Sequence, residues 1–336
     1  MSAPGATSPR LVRYHPPVGL STLFRPLPKS GERPTLGVSY QPASGGPVLS
    51  FSAKAALGIP EQTLLLVLLE LAQEQFVAFQ NEVILKAGAA TEVGRFLWSA
   101  LNRGDGGAKG QTLRLNTTWY ELNRRCAVEA GGSTQEYRKG QLKRLCEVTV
   151  WESSAKKEDK TERQSFLVAL LVSDDCRIHL ALNYRLASAL FGQPYAQISL
   201  TERLELEKDI PMALHAFLST TLSPGNRLKI KVETLIERLW PGSVEDAPGG
   251  THRRRRKDVR DGLEELGRLS GWTVDWLRDD MACVTRLSSS VRDMTRINQN
   301  KSMSYREQPF AKITSKNNEL RTFDASGLFH NKNTSA

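Results

Sequence analysis

The same order of predicted elements occurs twice along this sequence, and this repeat limits the fold more than any other feature does. In each copy a helix, a strand, two further helices and a pair of strands follow one another. The first copy places these elements at residues 60–80, 112–115, 118–127, 133–146, 147–151 and 166–172. The second copy places them at residues 201–222, 228–230, 232–240, 251–269, 272–274 and 282–284. This is the order of a winged helix-turn-helix, so the sequence predicts an α+β fold with two such domains in tandem.

The two ends of the chain differ in composition from these repeats. Prolines are dense in the first 47 residues, and because each one fixes φ and removes a backbone donor, no long helix is expected there. Alternating runs at 36–40 and 48–51 predict a β-hairpin. The polar residues from 288 onward have no periodic apolar pattern, which predicts disorder. The predicted organisation is a proline-rich arm at 1–32, a first winged-helix domain at 33–192, a second, DNA-binding one at 193–287 and a disordered tail at 288–336.

The composition favours a basic, cytoplasmic protein. The 336 residues include 46 Lys and Arg against 36 Asp and Glu, a formal net charge of +10 that favours an anionic partner such as nucleic acid. The longest unbroken aliphatic run, Leu64–Leu69, is far shorter than the ~20 residues of a membrane-spanning helix, so we expect no membrane association. The start of the chain lacks the apolar region of a secretion signal. The four cysteines contain no C-x-x-C pair, which favours thiols in a reducing compartment over disulfides or a zinc knuckle.

Residues 251–260 carry the densest charge in the sequence. Beyond them, Val259, Leu263, Leu266 and Leu269 recur every three or four positions, which places these apolar residues on one face of a helix. The helix is therefore predicted to pack through its C-terminal half and to project its cations from its N-terminal half, where helix-turn-helix proteins contact DNA. The predicted DNA-binding residues are Arg253, Arg254, Arg255, Arg256, Lys257 and Arg260. The alternative is that this basic run is only a solvated surface.

The corresponding helix of the first copy, at 133–146, has a less regular apolar pattern. It is predicted to bury Leu142, Leu145 and Cys146. The predicted DNA-binding residues on its outward face are Tyr137, Lys143 and Arg144, with Arg138 and Lys139 nearer the edges. On the same outward face, Gly140 would permit a close approach to the DNA backbone. The alternative is that this glycine only weakens the helix and that the tyrosine packs against the protein.

The sequence shows no arrangement typical of an active site. The histidines include no H-x-H or H-E-x-x-H pair, and in the glycine-rich segment 104–112 Lys109 precedes Gly110, unlike the order in a phosphate-binding loop. The adjacent acidic pairs at 174–175 and 279–280 lie in predicted turns, where neighbouring side chains diverge. We therefore predict a non-enzymatic protein with no catalytic residues, no cofactor and no metal site.

Several blocks of the sequence resemble one known family. The blocks are Arg13-Tyr14-His15-Pro16, Val38-Ser39-Tyr40, Gln197-Ile198-Ser199-Leu200, Leu239-Trp240-Pro241 and a final block in which the basic run and the leucine-spaced helix precede Gly271-Trp272-Thr273-Val274. They are similar to blocks of the RepC replication initiators of IncQ-type plasmids, and the similarity extends over residues 11–287. The final block is the most specific of them.

This resemblance implies an initiator that binds direct repeats (iterons) of double-stranded DNA at the vegetative origin of a plasmid. It also implies that the protein opens the adjacent AT-rich DNA and works with a plasmid-encoded helicase and primase. The residues themselves leave two alternatives open: a winged-helix transcriptional repressor, which would bind an operator palindrome, and a relaxase or primase-type enzyme, against which the missing metal ligands count. They also leave open whether the chain acts as a monomer or as a homodimer.

Overall fold

Helices and strands alternate along most of the chain and give it a mixed α+β fold, as predicted. The computed structural model describes residues 9–28, 31–42, 45–102, 110–128, 131–153, 162–174, 177–242, 249–288 and 321–322. The chain divides into two compact units, Met1–Leu204 and Glu205–Ala336, which we call unit 1 and unit 2. The domain boundary predicted from the sequence lies somewhat earlier, between residues 192 and 193.

Unit 1 contains most of the secondary structure. Its helices are α1 (Pro16–Leu20), α2 (Ile59–Phe79), α3 (Glu92–Leu101), α4 (Trp119–Arg125), α5 (Gly132–Cys146), α6 (Tyr184–Ser188) and α7 (Leu200–Glu205), of which the last residue is the first of unit 2. Its strands are β1 (Leu11–Tyr14), β2 (Leu36–Tyr40), β3 (Val48–Ala53), β4 (Ile84–Leu85), β5 (Thr112–Thr117), β6 (Thr149–Ser153), β7 (Glu162–Phe166), β8 (Val168–Val172), β9 (Ile178–Leu182) and β10 (Ala196–Ser199). A short 3₁₀ helix, Gln80–Glu82, follows α2.

The long helix α2 forms much of the core of unit 1. Pro60 lies in its first turn, where the missing N–H needs no partner, and the carboxylate of Glu61 accepts a hydrogen bond from the N–H of Gly58 at 2.8 Å. The run Leu64–Leu69 is completely buried, which explains why this part of the helix is apolar on all faces. Together with the 3₁₀ helix, α2 is long and apolar enough to cross a membrane. The length of the unbroken aliphatic run Leu64–Leu69 therefore underestimated the length of the apolar helix. However, 61% of its most apolar window is buried inside the protein, as in the core helix of a soluble protein.

The proline-rich residues at the start of unit 1 are packed into it. Strand β1 pairs antiparallel with β10, and Val12 and Tyr14 are completely buried. Arg10 forms an ion pair with Glu70 of α2, with 2.6 Å between Nη2 and Oε2. Within the described part of the predicted arm, residues 9–28 and 31–32, the only helix is the short α1, which contains two adjacent prolines.

The four-stranded sheets described in unit 1 have the orders β2-β3-β6-β7 and β4-β5-β9-β8. The predicted hairpin over residues 36–51 is present as β2 and β3. The prediction that 166–172 is one strand paired with 147–151 is wrong, because β6 pairs with β7 whereas β8 pairs with β9. Between β7 and β8, Leu167 donates its N–H to the carbonyl of Val148 at 3.0 Å and accepts the N–H of Asn183 at 2.9 Å. Leu167 therefore joins the two sheets. The charged residues 156–160, which lie between the two strands predicted at 147–151 and 166–172, are outside the described residues.

The described residues of unit 2 form fewer helices and strands than those of unit 1. It contains α8 (Asp209–Thr221), α9 (Val232–Leu239) and α10 (Gly249–Gly267), and the strands β11 (Arg227–Lys231), β12 (Trp272–Trp276), β13 (Met281–Arg286) and β14 (Arg321–Thr322). The predicted helix over residues 201–222 is divided into α7 and α8. Pro211 lies in the first turn of α8, and because it has no N–H to donate, a continuous helix would be interrupted there.

The strand β14 belongs to the segment that the sequence predicted to be disordered. It pairs in parallel with the edge of β11 that β13 leaves unpaired. An unpaired strand edge presents backbone donors and acceptors to any extended segment nearby, which is the physical reason for this pairing. The remainder of the predicted tail, residues 289–320 and 323–336, lies outside the described residues.

The two units share one order of elements. In unit 1 the elements α2, β5, α4, α5, β8 and β9 occur in this order, with the 3₁₀ helix, β4 and α3 inserted after α2 and with β6 and β7 inserted after α5, and the strands pair in the order β5-β9-β8. In unit 2 the corresponding elements are α8, β11, α9, α10, β12 and β13, with the strand order β11-β13-β12. The repeat predicted from the sequence is therefore present, with β8 and β9 as the final pair in unit 1. It makes α5 and α10 equivalent helices.

Helix α10 packs against α8 through the face that its periodicity predicted. Val259, Leu263 and Leu266 are completely buried. Gly262 lies so close to α8 that an added Cβ would stand 3.1 Å from side-chain atoms of both Ile210 and Leu214. This packing leaves the other side of α10 exposed to solvent.

Candidate nucleic-acid interface

The N-terminal half of α10 presents a group of exposed cations. Arg253, Arg254 and Lys257 are exposed, and we call these three residues the exposed cations. The side chain of Arg254 is 83% exposed, and its Nε lies 3.9 Å from the carboxylate of Asp258, too far for a hydrogen bond. Arg253 and Lys257 form no ion pair with any residue that the structure describes. The positive charge of this surface is therefore largely uncompensated by nearby carboxylates.

Two more of the predicted residues, Arg256 and Arg260, contact the turn between β12 and β13. Both form ion pairs with Asp280, Arg256 through Nε and Arg260 through Nη1 at 2.6 Å from Oδ1. The guanidinium of Arg260 also lies over the ring of Trp276, with 4.3 Å between Cζ and the ring centroid. Asp280 and Trp276 were not among the residues predicted for this site. The contact between Asp280 and Arg260 spans 20 residues, and no local spacing indicates it.

The remaining predicted cation of this helix, Arg255, is half-buried and contacts the end of α9. Its Cζ lies 5.2 Å from the centroid of the Trp240 ring, which follows α9 directly. Three residues earlier, His252 lies with Nε2 2.9 Å from Oε1 of Glu233, in the first turn of α9. These two contacts hold the N-terminal half of α10 against α9, so that Arg255 supports the helix that carries the exposed cations.

The equivalent helix α5 differs from α10 because most of its cations are already paired. Arg138 is buried, not at the edge of the exposed face as predicted, and it donates to Oδ1 of Asn123 at 3.2 Å and to the side chain of Gln141. Lys139 forms an ion pair with Glu136 at 2.6 Å. The predicted stripe of Leu142, Leu145 and Cys146 faces the protein interior, although Cys146 is only half-buried.

Arg144 was predicted to face outward, but its guanidinium points toward α2. It donates to Oε1 of Glu61 from Nε at 2.9 Å and from Nη2 at 2.7 Å. Arg33 lies 3.1 Å from the other carboxylate oxygen of Glu61. Burial alone would raise the pKa of Glu61, but the hydrogen bonds from Arg33 and Arg144 outweigh it and hold the pKa below its ordinary value. Of the predicted contacts on α5, Tyr137 and Lys143 are exposed and Lys139 is half-buried.

The side of α5 that faces β8 lines an apolar groove of about 640 Å³. Phe166, Val168 and Leu170 form part of its lining, and Lys139 and Lys143 of α5 contribute the charged side chains. In unit 2, by contrast, the N-terminal half of α10 contacts the turn of its hairpin through the ion pairs of Arg256 and Arg260 with Asp280. Phosphate groups are bound by cations and backbone N–H groups. Unit 2 therefore offers the better surface for a nucleic-acid backbone.

The described residues contain no group of three or more His, Cys, Asp or Glu placed to hold a metal ion. Cys126, Cys146 and Cys283 are thiols without a disulfide partner, and Cys176 lies outside the described residues. The acidic pair at 279–280 forms the tip of the β12–β13 turn, where both residues have positive φ. Only the second of them, Asp280, contacts the cations of α10.

A helix with cations on its exposed N-terminal half, next to a β-hairpin, is typical of sequence-specific DNA-binding proteins of the helix-turn-helix class. Residues 10–286 match the family of replication protein C (RepC). Because this match extends over most of the chain, the protein belongs to the RepC family. The resemblance noted in the sequence is thereby confirmed at the level of the family, and the membership supports a role as a replication initiator of a plasmid.

The chain is also similar to two solved structures of another protein, RctB. A selenomethionine derivative of RctB domains 2 and 3 is 9% identical, with a TM-score of 0.48 over 79% of this chain and 95% of that chain. A second structure of RctB domains 2–3, residues 155–483, is 8% identical, with a TM-score of 0.46 over 80% of this chain and 97% of that chain. No curated protein sequence matches the chain.

Proposed function

We propose that the protein initiates plasmid replication by binding iteron repeats at the vegetative origin through two winged-helix domains. The observation that carries the proposal is the largely uncompensated positive charge of the exposed cations on α10, in a chain of the RepC family. In each unit the helix, strand, two helices and hairpin correspond to the elements of a winged helix, with α5 and α10 as recognition helices.

In unit 2, the N-terminal half of α10 enters the major groove and its exposed cations reach DNA. The helix has 19 residues, a length of about 28 Å, so its first turns extend well into a groove while its last turns remain packed on α8. The hairpin β12–β13 lies beside the helix as the wing. Arg256 and Arg260, held by that wing, provide further contacts to the DNA backbone.

In unit 1, the DNA contact is the weaker of the two. Tyr137 and Lys143 are exposed on α5, whereas Arg138 and Arg144 are held by Asn123 and Glu61. The affinity of the protein therefore comes mainly from unit 2, and unit 1 adds contacts in a second major-groove segment, about 10–10.5 bp away.

The resemblance to IncQ-type initiators extends this proposal beyond DNA binding. The protein, acting without enzymatic activity of its own in the cytoplasm, opens the AT-rich DNA beside the repeats and recruits the plasmid helicase and primase. Both a monomer and a homodimer are compatible with binding to direct repeats. A transcriptional repressor of the same fold is the second candidate, since an exposed recognition helix serves an operator equally well.

Binding to three DNA duplexes distinguishes these functions. The duplexes carry the tandem repeats from beside the gene, the same bases in scrambled order, and one repeat arranged as a palindrome. An initiator binds the direct repeats ~10³-fold or more tightly than the scrambled duplex at the same salt concentration. Preference for the palindrome would favour the repressor, and equal affinity for all three would remove both.

A further inference from the structure

The carboxylate of Asp280 lies between two cations of the proposed DNA-binding helix. It is 14% exposed, while the side chains of Arg256 and Arg260 that bind it are 49% and 45% exposed. The carboxylate is thus placed on the inner side of the two guanidinium groups. The outer sides of both guanidinium groups remain open to solvent.

The hydrogen bonds to Asp280 leave donors for a second anion. Arg256 uses Nε and Arg260 uses Nη1 in these bonds, and each guanidinium carries five N–H donors. Arg260 is further restrained because it lies over the ring of Trp276. A pair of guanidinium groups restrained in this way loses less conformational freedom when it binds a phosphate than two mobile side chains would.

The backbone holds Asp280 itself in a defined position. Its φ is 54° and that of Asp279 is 57°, a left-handed conformation that aspartate tolerates better than most residues. The carbonyl of Asp280 accepts the N–H of Val232 at 3.0 Å, which attaches this turn to the start of α9. The N–H of Leu277 donates to the carbonyl of Met281 at 2.8 Å across the same turn.

We propose that Asp280 is a positioning residue that holds Arg256 and Arg260 as one fixed pair of donors for a DNA phosphate. The proposal rests on the proposed function, DNA binding by unit 2. The phosphate binds the two guanidinium groups from their solvent-exposed side, and their hydrogen bonds to Asp280 remain in place. A carboxylate that merely competed with DNA for the arginines would weaken binding, whereas this carboxylate strengthens it.

The neighbouring residue provides a matched control. Asp279 lies in the same turn with nearly the same φ and is exposed, and it forms no ion pair with any residue that the structure describes. Asp279→Asn and Asp280→Asn remove the same charge from the same turn, and asparagine tolerates the left-handed conformation equally well. Loss of a negative charge near DNA by itself raises affinity, so we expect Asp279→Asn to bind about twofold more tightly.

We expect Asp280→Asn, by contrast, to bind duplex DNA about five- to tenfold more weakly than the wild-type chain. The affinities are measured with the full chain at one salt concentration. In the double variant Arg256→Ala/Arg260→Ala, the further change Asp280→Asn should no longer weaken binding, because the residue acts through those arginines. Asp280→Glu, which keeps the charge but displaces the carboxylate, should also weaken binding. Thermal unfolding of each variant verifies that it is folded.

Two outcomes would overturn the proposal: Asp280→Asn binding as tightly as Asp279→Asn or more tightly, or an equal loss with and without the two arginines. If the wild-type chain bound no duplex DNA, the proposed function would fail, which is a different result. If Asp280→Asn does not fold, the DNA affinity of Asp280→Glu is compared with that of the wild-type chain. Weaker binding by Asp280→Glu supports the proposal, and equal or tighter binding overturns it.

Discussion

Arg144 of α5 donates two hydrogen bonds to one carboxylate oxygen of Glu61 in α2, at 2.9 and 2.7 Å, and the Glu61 side chain is completely buried. This contact holds the recognition helix proposed for unit 1 against the core helix. It also removes from the surface a cation that the sequence pattern assigned to DNA. The two proposed recognition helices therefore differ in electrostatics although they occupy equivalent places in the chain.

Replacing Arg144 by Ala should destabilise the protein and leave its affinity for DNA almost unchanged. The buried carboxylate of Glu61 would lose one of its two cationic partners, and Arg33 would remain 3.1 Å away, so we expect a loss of about 2 kcal/mol in the free energy of unfolding. Urea denaturation measures the stability, and a mobility shift measures the affinity.

The matched control for that variant is Lys143→Ala, which removes the neighbouring, exposed cation. It should change the free energy of unfolding by less than about 0.5 kcal/mol. A large loss of DNA affinity in Arg144→Ala, with little loss of stability, would show that the guanidinium leaves Glu61 to contact DNA.

The same carboxylate predicts how stability depends on pH. The pKa of Glu61 in the folded protein lies below its ordinary value of 4.5, so the unfolded chain takes up the proton at a higher pH. Stabilisation by the ion pairs is then fully present above pH 4.5 and is lost as the pH falls toward the lowered pKa of the folded state. Urea denaturation at a series of pH values should show a shallower loss of stability for Glu61→Gln than for the wild-type chain.

For this pH dependence the control is Glu136→Gln, which removes a carboxylate that is 72% exposed. Its stability should follow the wild-type curve through the acid range. Parallel curves for Glu61→Gln and the wild-type chain would mean that the buried ion pairs do not contribute to acid sensitivity.

Single replacements of the exposed cations should separate the roles of Arg253, Arg254 and Lys257. An alanine in place of a phosphate-binding cation weakens binding to all sequences about equally and reduces the magnitude of the slope of log K against log salt by about one. An alanine in place of an arginine that reads a base costs about 1–3 kcal/mol on the specific repeat and relaxes preference at one base pair. Titrations at several salt concentrations measure both quantities.

Leu263→Ala provides a contrast to these surface variants, because Leu263 is completely buried on the other side of α10. It should lower the free energy of unfolding by about 2–5 kcal/mol without altering the salt slope of the protein that remains folded. Unchanged affinity and slope in all three cation variants would make Arg253, Arg254 and Lys257 a solvated surface.

A chain that ends at Ser288 should fold cooperatively and bind repeat DNA as the full chain does. The contact that would be lost within the described residues is the pairing of β14 with β11, which joins two residues of each strand. Thermal unfolding and mobility shifts of the shortened chain test this. If binding were lost while folding persisted, residues beyond 288 would take part in the interface.

Short-range patterns in the sequence predicted the helices well. The packed face of α10, with Val259, Leu263 and Leu266, follows from apolar spacing alone, because helix periodicity is a local property. The bounds of α2 follow from its continuous apolar run and from Pro60 in its first turn. The unusual order of the strands in unit 1 did not follow, because the change of sheet at Leu167 depends on Val148 and Asn183, which lie far away in the sequence.

The candidate site could also be predicted only in part, because some of its contacts join residues that are far apart in the sequence. The exposed positions of Arg253, Arg254 and Lys257 follow from the helical period, but the orientations of Arg138 and Arg144 do not. The partner of Arg144 lies 83 residues earlier, and a buried ion pair of that kind leaves no trace in local spacing. From helical spacing alone, a charged residue is predicted to be exposed unless its partner is known.

The central claim, that this chain recognises repeated DNA through α10, is tested most directly by one competition measurement. Labelled direct-repeat duplex is bound by the wild-type chain and by the triple variant Arg253→Ala/Arg254→Ala/Lys257→Ala, and unlabelled repeat or scrambled duplex competes at fixed salt. We expect the wild-type chain to prefer the repeat by ~10³-fold or more and the folded triple variant to lose most of its affinity. Equal competition by the two duplexes, or a folded triple variant with wild-type affinity, would contradict the claim.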